Sequence, residues 1–115
     1  MTKIPSNQST NDFIFRKELE KGYPLRDPDN LHLLVIDGLF DPSTASDGPI
    51  ASLGSFHSLD VTVMRDGKRA NDVNLDTFHH RCHEMTCWFS LEFSDPQHMV
   101  SDHKYLVTVI LRYLV

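Results

Sequence analysis

The chain has 115 residues, 40% of them hydrophobic and 23% charged, and a formal net charge of -5 with its seven histidines neutral. That length supports one small domain with a modest core and excludes two. Mild acidity without a basic run argues against nucleic acid and anionic membranes as partners.

Residues 1–10 are polar and read as a disordered arm, leaving residues 11–115 as a single small domain. The opening "MTKIPSNQST" lacks the apolar stretch of a signal peptide, and no apolar run is long enough to span a bilayer, so the expected location is cytoplasmic. Asn11 or Asp12 is placed to cap a short helix, "DFIFRKELEKG", that stops at Gly22 and turns Phe13, Ile14 and Leu19 to the core. "YPLRDPDN" is a loop by its two prolines.

"LHLLVID" (Leu31–Asp37) is a nearly continuous apolar run and predicts a central strand buried on both faces. The Gly-, Pro-, Ser- and Asp-rich stretch that follows predicts a long loop. "FHSLDVTVM" (Phe56–Met64) alternates as a strand, with Leu59, Val61 and Val63 on one face, and "RDGK" closes it as a turn. Leu31, Leu33, Val35, Leu59, Val61 and Val63 are therefore expected in the core on adjacent strands. "RANDVNLDTFHHRCHEMTC" has no clear period and predicts loop with some helix. The end, "KYLVTVILRYLV", fits a helical stripe or a β-branched strand equally well.

The candidate chemistry is concentrated in two places. His79, His80, Cys82, His83 and Cys87 are all potential zinc ligands, but they sit in one stretch without the second, spaced ligand pair of a structural zinc site. Two cysteines are also too few for a disulfide scaffold. His57 and Asp60 are three residues apart on a predicted strand, where alternation puts them on opposite faces unless the strand bulges. No phosphate-binding glycine loop, nucleophile elbow or H-E-x-x-H pair is present.

Three segments in order carry a resemblance. "LHLLVIDGLFDP" resembles the L-x-L-x-x-x-D-A/G-Y-R-P strand and turn of VanX-type D-alanyl-D-alanine dipeptidases. "SLDVTVMRDGK" resembles their A-I/V-D-L-T-L strand, and "LDTFHHRCH" their F-D-x-F/M-x-x-x-S-H. The resemblance covers roughly Leu31 to His83. It implies a zinc metallopeptidase of cell-wall metabolism acting on a small dipeptide substrate. It also implies an α+β fold, a small antiparallel sheet with flanking helices, here incomplete.

By the same resemblance, Asp60 falls on the zinc-ligand aspartate, with His57 the substitute second ligand. Asp76 falls on the aspartate that holds the substrate's amino group, and Ser52, also expected in substrate binding, on the serine before the first ligand histidine. The first ligand histidine is replaced by Leu53, the turn arginine falls on Phe40 or Asp41, and the chain has no E-x-W-H to supply base and third ligand. A hydrolytic zinc site needs about three protein ligands, an open position and a base. The resemblance thus implies no catalytic residue in this chain and impaired hydrolysis, with "LDTFHHRCH" the remnant of a substrate-binding loop. Two other readings stand beside it: a non-enzymatic interaction module, and a small His/Cys metal-binding protein.

Overall fold

The computed structural model describes residues 10–40, 56–83 and 86–114. These residues form strands β1 (Thr10–Leu19), β2 (Leu33–Phe40), β3 (Phe56–Arg65), β4 (Lys68–Arg69), β5 (Asn74–His83), β6 (Thr86–Ser94) and β7 (Tyr105–Leu114). Apart from a short 3-10 turn at Val100–Asp102, no helix occurs among them. None is therefore long and apolar enough to cross a membrane. The strands make two antiparallel sheets, the first ordered β1-β7-β3-β4 and the second β2-β6-β5.

Alternation along the two central strands explains how the sheets close on each other. On β7, Tyr105, Val107, Val109 and Leu111 are buried, and on β6, Phe89, Leu91 and Phe93. Their sequence neighbours point to the outer faces, as a period of two requires. Leu34 and Ile36 of β2 and Val63 of β3 join the same core, and Phe13, Phe15, Leu59, Val61 and Phe78 pack against it. The result is a two-layer sandwich in which each sheet buries one face.

Two glycines fix local geometry. Asp66 and Gly67, with φ of 53° and 82°, form the tight turn between β3 and β4, the Asp-Gly pairing that suits a primed hairpin turn. Gly38 is crossed by the ring of Phe89 from the neighbouring strand, so a side chain there would occupy the ring's space. Phe15 meets the same ring edge-on, with centroids 5.0 Å apart.

This architecture corrects several expectations. The fold is nearly all sheet, not α+β with flanking helices. The stretch expected as a capped helix is β1, fully paired with β7 from Thr10↔Leu114 to Leu19↔Tyr105. Ile14, expected in the core, lies on the outer face and is exposed. The run Leu31–Asp37 contributes an edge strand with one buried face, and the buried face is Leu34 and Ile36. Leu33 and Val35 lie on the other face, Leu31 precedes the strand and is exposed, and β2 and β3 belong to different sheets. The turn at "RDGK" and the inward face of Leu59, Val61 and Val63 are as expected. The stretch expected as loop with helix contains all of β5 and the first two residues of β6, and the C-terminal run is strand β7.

Candidate functional site

Two polar clusters stand out, one closed and one open. The closed cluster is built around Asp95, which is fully buried at the end of β6. Tyr105 donates to its Oδ2 at 2.6 Å, Arg65 Nε donates to the same oxygen at 3.1 Å, and His98 Nδ1 lies 3.0 Å from Oδ1. Arg65 also donates to Asp72 at 2.7 Å. His32 Nδ1 reaches the carbonyls of Asp95 and His98 at 3.2 and 2.8 Å, so that nitrogen carries the proton. Beside them His103 Nδ1 meets Asp66 at 2.6 Å. The cluster pins the start of β7 and the end of β3 to the segment that crosses from β6 to β7.

Burial works against ionisation of Asp95, but the hydrogen bonds from Tyr105, His98 and Arg65, with the charge of Arg65, outweigh it and hold the carboxyl below its usual range. Burial, and then the bond to ionised Asp95, push the Tyr105 phenol up. Asp72, Asp95 and His98 place one donor atom each within 4.8 Å of one another, the one such grouping of three among the described residues. Its positive charge is already supplied: the guanidinium of Arg65 bonds to both carboxylates. A metal ion there would have to displace it, so the donor set fits an internal ion-pair network better than a metal centre.

The open cluster lies on the outer face of the second sheet. Register sets two parallel rows across its three strands. One is Leu39 (β2), Trp88 (β6) and Arg81 (β5); the other is Asp37, Ser90 and His79. Together with Gly38, His80 and Phe89, five of these six residues line a shallow cleft of about 390 Å³; Leu39 is outside the lining. Trp88 is 48% exposed, which is unusual for the largest apolar side chain. Asp37 forms an ion pair with Arg26. Burial opposes ionisation of Asp37, yet hydrogen bonds from Arg26 and Ser90 and the charges of Arg26 and Lys17 keep its carboxyl below the usual range. Arg81, by contrast, has no carboxylate partner among the described residues.

Asp37, Ser90 and His79 are the residue types of a catalytic triad, but in the wrong order. Ser90 stands on the middle strand, between the acid and the imidazole. A triad needs the histidine in the middle, with the acid orienting it. The row supplies hydrogen-bonding groups, not an activated nucleophile.

The residues singled out from the sequence are dispersed. Asp60 is on β3 in the first sheet, exposed, and bonded by Arg112 at 2.9 Å. His57 is exposed where β3 shifts register between Phe56 and Ser58, but no third metal-binding side chain among the described residues joins His57 and Asp60. These residues do not fit a hydrolytic zinc centre. Asp76 is exposed at a bulge of β5 in the second sheet, so Asp60 and Asp76 belong to different sheets. Ser52, Leu53 and Asp41 lie outside the described residues. "LDTFHHRCH" lies wholly within strand β5 and is not a loop. His79 and His80, as strand neighbours, point to opposite faces, and His80 stacks on Phe78 at 5.3 Å. Cys82 and Cys87 are paired in register across the β5–β6 hairpin.

Trp88, Arg81, Asp37, Ser90 and Asp95 were not singled out by sequence reasoning. The alternation Phe89, Leu91, Phe93 was the available signal, because it makes Trp88 and Ser90 outward neighbours on one strand. Comparison with family models, curated proteins and solved structures finds no match to this chain.

Proposed function

We propose that this chain is a non-enzymatic binding module whose contact surface is the outer face of the second sheet. One observation carries the reading: an exposed tryptophan beside an arginine with no carboxylate partner among the described residues and a row of hydrogen-bonding side chains, all lining one cleft. Small-molecule sites combine an apolar platform with a few fixed polar groups, and the cleft volume falls at the lower end of their usual range. The platform is held by the sheet itself, so the cleft is formed before any ligand arrives. The acid–serine–histidine order gives no activated base, and no third metal-binding side chain among the described residues joins His57 and Asp60, the zinc-ligand positions implied by the dipeptidase resemblance. The same reading predicts no zinc-dependent hydrolysis of D-alanyl-D-alanine by this chain.

The test is an amide-shift screen of the ¹⁵N-labelled chain against a mixed library of sugars, amino acids and aromatic fragments. Hits should move the amides of His79, Arg81, Trp88 and Ser90 and should be lost in Trp88→Ala. Hits that cluster elsewhere, or that survive Trp88→Ala, would remove the outer face of the second sheet from consideration.

A further inference from the structure

We infer that the cleft takes a pyranose sugar carrying a single carboxylate, a uronate-type ligand. This deepens the binding-module reading and rests on it. Three features of the cleft select that chemistry.

The platform comes first. The indole of Trp88 is exposed on a rigid strand, with Arg81 registered on one side and Leu39 on the other. Such a surface accepts a flat apolar face, and a pyranose offers one through its axial C–H groups. The next row, Asp37, Ser90 and His79, is two residues further along each strand, about 7 Å away at the strand rise. A ring seated on Trp88 therefore points its edge at a carboxylate, a hydroxyl and an imidazole. The carboxylate accepts and the hydroxyl and imidazole also donate, so the set offers both roles that sugar hydroxyls require.

Charge then chooses among sugars. The negative charge of Asp37 is compensated by Arg26 and Lys17. Glu92 belongs to the following row, with Val35 and Thr77, and does not line the cleft. Arg81 lines the cleft as a cation with no carboxylate partner among the described residues. One uncompensated guanidinium matches one carboxylate, and the pair can be bidentate. A polyphosphate would need more cations than the cleft lining holds, and the net charge of -5 repels polyanions at long range. A single negative charge on a hydroxylated ring satisfies both limits.

Trp88 is the chain's single tryptophan, so its fluorescence reports on this site alone. The experiment titrates the full chain with methyl β-D-glucuronide and, separately, with methyl β-D-glucoside, following Trp88 emission and amide shifts. The glucuronide should bind saturably and shift Arg81, Trp88, Ser90 and His79. The glucoside should bind at least about tenfold more weakly, the usual cost of losing one charge-assisted pair. Arg81→Gln should lower glucuronide affinity to the glucoside level while leaving the spectrum of β7 unchanged. Equal binding of the two sugars, or glucuronide binding indifferent to Arg81→Gln, would overturn the inference. If neither sugar binds while other library members still map to the cleft, the uronate inference fails and the binding-module reading survives. If those hits map elsewhere, both fail.

Discussion

The Asp95 cluster and the Trp88 cleft use nearly the same residue types, an aspartate, an arginine, a histidine and an aromatic, and differ in whether those groups satisfy one another. Asp95 is buried and accepts from Tyr105, Arg65 and His98. The buried carboxylate at its centre is spent on those three partners. On the outer face of the second sheet, Trp88 is half exposed and Arg81 has no carboxylate partner among the described residues. A closed polar network specifies structure, because any member left unpaired in a buried place costs heavily. An open one on a rigid sheet has bonding capacity to spend on something else. Residue composition alone, an Asp with a His and an Arg, therefore does not identify a site.

Removal of Asp95 is expected to have the largest effect. Asp95→Ala leaves the mostly buried Arg65 with only the half-exposed Asp72, takes the acceptor from Tyr105 and His98, and should cost about 3–5 kcal/mol, measured by urea unfolding. A loss below about 1 kcal/mol would mean the network is ornamental. Tyr105→Phe removes only one donor to a charged acceptor and should cost about 1.5–3 kcal/mol by the same measurement. Gly38→Ala tests the joint between the two regions, since the ring of Phe89 lies over Gly38 on the inner side of the cleft strands. Overpacking there should cost about 1–3 kcal/mol and shift the Phe89 ring resonances.

Acid acts on the closed cluster through Asp95. The folded carboxyl of Asp95 titrates below its unfolded value of about 3.9, so its contribution is complete above that value. It is lost as pH falls from there through the folded value. Wild type should therefore lose more stability than Asp95→Asn between about pH 5 and pH 2. Parallel losses would show that Asp95 does not carry the effect. The smallest effect is expected at Tyr23, whose hydroxyl is buried without a partner among the described residues. Burial pushes its phenol up to about 12. Tyr23→Phe should be neutral or stabilise by up to about 1 kcal/mol, because it removes an unpaired polar group. Destabilisation would reveal a partner for that hydroxyl.

The two regions were also unequally legible in the sequence. The β3–β4 hairpin was readable because Asp66-Gly67 supplies positive φ locally and Leu59, Val61 and Val63 alternate. β1 was misread as helix because "RKELEK" contains good helix formers, while the decisive fact, pairing with β7, lies nearly one hundred residues away. The apolar run of β2 hid its single buried face, since Leu33 and Val35 are as apolar as Leu34 and Ile36. Asp95 was invisible for a related reason: its partners Arg65, His98 and Tyr105 come from three different segments. Histidine density drew attention to His79 and His80, but strand geometry sends them to opposite faces, and only His79 shares the polar row of the cleft.

The division between a structural cluster and a recognition face is tested most directly by the paired unfolding free energies of Asp95→Ala and Trp88→Ala. Trp88 is half exposed and touches the cleft, so its truncation should change stability by no more than about 1 kcal/mol, the range of one cross-strand pair. Asp95→Ala should cost at least three times as much. A Trp88→Ala loss equal to that of Asp95→Ala would contradict the account, because it would make the tryptophan part of the framework.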